Sequence, residues 1–239
     1  MQTFRLTSLL GLKVRIDLCW MIIFALILWT FTAIVFPYQF PHLSPSTHLG
    51  MSVMQTLLFM ASVFAHQLSQ ALVVRAKGIP VSGINLLIFG RIWRSRPYTE
   101  NPQDELQIAG GGLITLVAIV LLYAFLGWWG NRAGWSVAVT GIANALAWMN
   151  GMLTMFKVLP GFPLDGGRWF RALVWKLTGN WKTATRIASR CGVYLSYGII
   201  AVGVAELIGG YILDSMWSIL IGGFLKTAIV QGNRASLNQ

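Results

Sequence analysis

The chain has 239 residues, 56% hydrophobic and only 10% charged, with mean hydropathy +0.65 and formal net charge +11. Soluble domains carry about 25% charged residues, so this composition excludes an ordinary soluble domain and points to an integral membrane protein. The basic excess falls in short segments between apolar runs, which is positive-inside patterning and argues against nucleic-acid binding.

About 20 apolar residues are needed to cross the hydrocarbon core. The first candidate span is Leu18–Phe36, preceded by Arg5, Lys13 and Arg15, which predicts a cytosolic N-terminus. The run has no small-residue cleavage site and reads as a retained helix rather than a signal peptide. Pro37 and Pro41 stop it, and the loop to Gly50 holds no Lys, Arg, Asp or Glu, although His42 and His48 are expected there facing water. The second span, Met51–Val74, ends at Arg75 and Lys77. The segment from Ile79 to Gly90 is apolar but too short to span, and Pro80, Gly83 and Gly90 interrupt it. It predicts a hairpin dipping into the membrane, where irregular backbone survives only against protein or a wet cavity.

The third span is Ile108–Trp129, with Asp104 and Glu105 expected at its helix N-terminus, where negative charge is favoured. Gly110, Gly111 and Gly112 near its start allow close helix contact. The fourth, Trp135–Leu159, carries Lys157 near its end and runs into Pro160, Gly161, Phe162 and Pro163. Six basic and no acidic residues lie between Arg168 and Arg190, predicting an amphipathic cytosolic-face helix whose basic stripe meets anionic lipid. The fifth and sixth spans are Cys191–Leu213, with the intramembrane Glu206, and Met216–Val230. Cys19 and Cys191 make no CxxC pair and read as packing residues. The expected fold is therefore an all-α polytopic membrane protein of about six transmembrane helices, with the short membrane-dipping hairpin after the second. It forms one domain over 1–239 with both termini cytosolic.

Two segments carry chemistry. One is Phe64-Ala65-His66-Gln67-Leu68-Ser69-Gln70-Ala71, and the other runs from Lys157 through Leu159-Pro160-Gly161-Phe162-Pro163-Leu164-Asp165-Gly166-Gly167-Arg168. Together they resemble the site-2 protease family of intramembrane zinc metalloproteases, which has HExxH on one membrane helix and N-x-x-P-x-x-x-L-D-G on a later one. The resemblance runs from about Phe64 to Arg171, and includes Phe89-Gly90 and the stretch from Glu105 to Gly112. In that family two histidines and the LDG aspartate hold zinc, and the glutamate activates a zinc-bound water.

By this resemblance His66 and Asp165 are retained metal ligands, while Gln70 replaces the second histidine. An amide oxygen is a poorer zinc donor than imidazole. Gln67 replaces the general base, and an amide cannot accept and deliver a proton near neutral pH. General-base assistance of about 10²–10⁴-fold would be lost. Lys157 stands where the family has asparagine, and Gly111 where its A-G-P motif has proline. These four departures together imply natural loss of catalysis rather than a single engineered inactivation.

The expectation is a pseudoprotease, with no active catalytic residue and zinc absent. Lys157 would pair with Asp165, or else snorkel to the headgroups. Gln67 and Gln70 would complete a polar knot of His66, Gln67, Gln70, Lys157 and Asp165. The alternative is an active or residual metalloprotease cleaving a transmembrane segment, holding zinc through a shifted ligand set that recruits His42, His48 or Glu206. His66 could also serve as an axial ligand to a tetrapyrrole metal. The expected partners are other integral membrane proteins, such as those of a large membrane complex, and lipids, with no nucleic acid.

Overall fold

The structure is a computed structural model and describes residues 3–9, 12–79, 81–86, 91–94, 101–161 and 164–237. The chain divides into two compact units, residues 1–97 with 111–155 and residues 98–110 with 156–239.

In the first unit, β1 (Thr3–Leu9) pairs antiparallel with β2 (Leu12–Asp17). Strand β2 leads directly into α1 (Leu18–Thr30), a π-helical turn (Phe31–Val35) and the short α2 (Phe36–Gln39). Next comes the 32-residue α3 (Pro45–Ala76), capped by Ser44, whose hydroxyl accepts from the Thr47 backbone N–H at 3.2 Å. Strand β3 (Val81–Leu86) then pairs parallel with β2, and β4 (Arg91–Arg94) antiparallel with β3, completing a sheet of order β1-β2-β3-β4. A parallel pair needs a long crossover, which the helices between β2 and β3 supply.

The rest of the unit comes from α4 (Pro102–Arg132) and α5 (Val137–Val158), each of which contributes its larger part. Phe31, Phe36 and Met51 form an apolar core with Phe40, Ile142, Ala145 and Met149 around it. A Cβ at Gly141 would sit 2.7 Å from the Phe40 ring, so glycine sets how closely α5 approaches.

The second unit contains the first turns of α4, the last residues of α5, and α6 (Asp165–Thr178), α7 (Trp181–Ile208) and α8 (Ile212–Leu237). Gly179, at φ 66°, ends α6 in the left-handed conformation that glycine tolerates. Asn180 then caps α7, its Oδ1 accepting from the Thr183 N–H at 3.1 Å. Helices α7 and α8 pack through small residues, since a Cβ at Gly203 would lie 2.8 Å from Ile219 and one at Gly222 2.6 Å from Ile200. Ser218 donates to Glu206 across this pair at 2.7 Å.

The helical membrane architecture agrees with the sequence reading. Met21–Gln39, Pro45–Ala76, Pro102–Arg132 and Trp181–Ile208 are long and apolar enough to cross a membrane. The other two expected spans also fall in helices, α5 and α8. The four-stranded sheet is an addition to the expected all-α fold. The segment after the second span is a β-hairpin whose strands extend a sheet begun at the N-terminus, and its tip, 87–90, with Phe89-Gly90, lies outside the described residues. His48 also departs from expectation. It lies in the first turns of α3, is buried, and donates from Nε2 to the Phe40 carbonyl at 3.0 Å. His42 is exposed, as expected.

Candidate functional site

In the first unit, α3 carries His66, Gln67 and Gln70, all at most 4% exposed. Residues four apart share a helix face, so His66 and Gln70 lie one above the other. Both pack on Gly112 of α4, where a Cβ would run into the Gln70 amide and sit 2.7 Å from His66 Cε1. Only glycine leaves the room that brings the Gly112 carbonyl within 2.9 Å of His66 Nδ1. A carbonyl only accepts, so Nδ1 carries a proton and donates it to Gly112 O, the kind of contact that orients the ring of a metal-binding histidine. The Ser69 and Thr115 hydroxyls bracket the neighbouring Gly111 carbonyl at 3.2 and 2.9 Å. Gln67 Oε1 is buried and accepts no hydrogen bond among the described residues.

In the second unit, the chain leaves α5 at Val158 and turns back through Gly161, whose N–H donates to Leu159 O and whose carbonyl accepts from Leu164 N–H, both at 2.8 Å. Helix α6 begins at once with Asp165 in its first turn. A Cβ on Gly166 would collide with the Val158 carbonyl, so glycine seats the start of α6 on the end of α5. The fold-back brings Lys157 Nζ within 3.3 Å of Asp165 Oδ2, with both side chains 8% exposed. Phe162 and Pro163, which lie in the same motif, are outside the described residues.

The charges continue beyond that pair. Arg168 Nη1 lies 3.9 Å from Asp165 Oδ1, and its Nε donates to Glu105 Oε1 at 2.9 Å. Arg171 Nη2 donates to the same Glu105 oxygen at 3.1 Å and its guanidinium lies 4.1 Å over the Trp181 ring. Burial pulls the Arg168 pKa down, but Glu105, Asp165 and the hydrogen bond to Glu105 together hold it above the usual arginine value. Asp104 and Glu105 do occupy the first turn of α4, as expected. Glu105 additionally pins α6. The basic stripe is therefore corrected: Lys176, Lys182, Arg186 and Arg190 are exposed, whereas Arg168 and Arg171 are inward ion-pair partners.

Thus Lys157 and Asp165 are brought together, while His66, Gln67 and Gln70 belong to the other unit. His48 cannot join His66 in a ligand set, because 18 residues of helix separate them by about 27 Å. Glu206 is hydrogen-bonded to Ser218. Among the described residues no three His, Cys, Asp or Glu side chains are grouped to hold a metal ion. Sequence reasoning missed the Gly112 carbonyl and the role of Glu105. The first had a trace in the glycine run, and the second had none, since its partners lie 63 and 66 residues away.

No family model matches the chain. It is 33% identical over 221 residues to a Synechocystis protein named as a presumed zinc metalloprotease, sll0528, which covers 92% of this chain and 57% of the relative. The solved site-2 protease of Methanocaldococcus jannaschii superposes with a TM-score of 0.62 over 96% of this chain and 94% of that one, at 21% identity. The chain has the fold of a site-2 protease. A second relative, Rip3 of Mycobacterium tuberculosis, also named as a presumed zinc metalloprotease, is 32% identical over 172 residues, 72% of this chain and 44% of its own length. The chain spans about half the length of the curated relatives it matches. Asp165 is a residue that the sequence resemblance implies as a metal ligand. Here it faces an ammonium at 3.3 Å and a guanidinium at 3.9 Å, an environment that repels a dication.

Proposed function

We propose that this chain is a pseudoprotease, a site-2 protease family member without peptidase activity that binds or scaffolds another integral membrane protein. The observation that carries the reading is the Lys157–Asp165 ion pair at 3.3 Å. An unpaired carboxylate at low exposure is costly, and zinc discharges that cost in a working enzyme of this type. Here a lysine from the chain itself supplies the positive charge. Gln70 offers a neutral amide in place of a second imidazole, and Gln67 offers no proton acceptor in place of the general base. Residues that fit zinc poorly at three positions support a protein that holds none. The retained helical body would then serve recognition, with both termini on the cytosolic side as the basic residues imply.

The second reading is a zinc metalloprotease with residual activity, and the names of the relatives favour it. Reconstitution in liposomes with transmembrane peptides separates the two. The pseudoprotease reading expects no cleavage by the parent chain and stable co-purification of an uncleaved membrane partner. Metal-dependent, chelator-sensitive cleavage by the parent would overturn it.

A further inference from the structure

Helix α3 has its polar face turned inward. Its buried residues include His48, Ser52, Gln55, Thr56, Ser62, His66, Gln67 and Gln70, while Leu49, Val53, Met54, Leu57 and Leu72 are exposed. The hydroxyls on this face are satisfied within the helix: Ser52 donates to His48 O at 2.8 Å, Thr56 to Ser52 O at 2.7 Å and Ser62 to Leu58 O at 2.9 Å. The amides are not. Gln55 Nε2 meets only the Met149 sulfur, at 3.1 Å, and its Oε1 accepts no hydrogen bond among the described residues. Asn150 of α5, fully buried, gives Nδ2 to Leu146 O at 2.8 Å and leaves Oδ1 without a donor. Gln67 Oε1 is in the same condition.

All three groups lie in the first unit, and all three orphaned atoms are acceptors. Buried polar atoms in native proteins almost always find a partner, in ordered water when not in protein. The side chains are 0–3% exposed, so there is no room for a peptide or a lipid headgroup. The amides carry no charge, which leaves a bare cation uncompensated. A molecule of one heavy atom that donates hydrogen bonds meets every condition.

We infer that the first unit binds ordered water at membrane depth along the inward face of α3, with the amide oxygens of Gln55, Asn150 and Gln67 as its fixed acceptors. From Gln55 to Gln67 this wet seam extends about 18 Å along the helix. It stands apart from the pseudoprotease reading, because it depends on none of the metal positions being empty or filled.

The test is X-ray radiolytic hydroxyl labelling of the full chain in lipid nanodiscs, in isotope-labelled water. Met149, whose sulfur touches the Gln55 amide, is the reporter. Met51, 3% exposed and packed with Phe31 and Phe36, is the dry control, and Met54, 50% exposed on the outward face, reports reagent arriving through lipid. The expected result is solvent oxygen on Met149 well above both controls, reduced severalfold in Gln55→Leu and in Asn150→Leu. Either variant alone suffices if the other fails to fold. Labelling of Met149 no greater than that of Met54, or unchanged in the folded variants, overturns the inference.

Discussion

Lys157 Nζ lies 3.3 Å from Asp165 Oδ2, and both side chains are almost wholly withdrawn from solvent. The contact depends on two glycines: Gly161 turns the chain after α5, and Gly166 leaves space for the Val158 carbonyl. Removing one partner of a buried pair leaves the other charge uncompensated, at a cost of about 3–5 kcal/mol. Arg168, 3.9 Å from the second Asp165 oxygen, offsets part of that. Lys157→Met should therefore destabilise toward the lower end of that range, and Lys157→Met with Asp165→Leu should recover much of the loss. Thermal unfolding of the purified variants in detergent reads both effects. A double variant no more stable than the single one would show that the pair contributes no coupling.

Glu105 Oε1 lies within hydrogen-bonding distance of both Arg168 Nε, at 2.9 Å, and Arg171 Nη2, at 3.1 Å. Glu105→Gln should destabilise by about 3–5 kcal/mol, because it removes the buried carboxylate that both guanidinium groups contact. Arg171→Met should cost less, since Arg168 still holds Glu105 while the Trp181 stacking is lost. Equal effects of the two substitutions in a denaturant titration would contradict this ranking.

Two glycines one turn-fraction apart should behave differently. A methyl at Gly112 meets the Gln70 and His66 side chains, and overpacking of this kind costs about 1–3 kcal/mol. A methyl at Gly110 meets only the Trp169 indole, 3.7 Å away, which is ordinary contact. Gly112→Ala should lower the melting temperature, and Gly110→Ala should leave it within error or raise it. Matching melting temperatures would show that His66 and Gln70 are not held against α4 as described.

The helices were legible in the sequence because apolar runs bounded by Pro, Gly and basic residues are a one-dimensional signal. Lys157 and Asp165 were legible because eight residues and a Pro-Gly break leave few ways to arrange them. The sheet was missed although its pattern is present, with Leu12, Val14 and Ile16 alternating with Lys13, Arg15 and Asp17. The charged residues that read as the basic flank of the first span are also the polar positions of this period of two. Ser, Thr and Pro around His48 suggest a loop by composition, but Ser44 and Pro45 are a helix start. Arg168 and Arg171 look lipid-facing in the sequence because composition shows the sign of a charge and not its partner, which here is Glu105. Glu105 lies more than sixty residues away from both and becomes their neighbour only once α4 and α6 have packed.

Zinc content tests the account most directly. The full chain, purified without chelator from cells grown with added zinc, should contain only trace zinc by elemental analysis. Gln67→Glu, Gln70→His and Lys157→Asn combined should raise its content toward one zinc per chain. One zinc per chain in the unaltered protein, removed by chelator together with cleavage of a membrane segment, would contradict the account and make the chain a working metalloprotease.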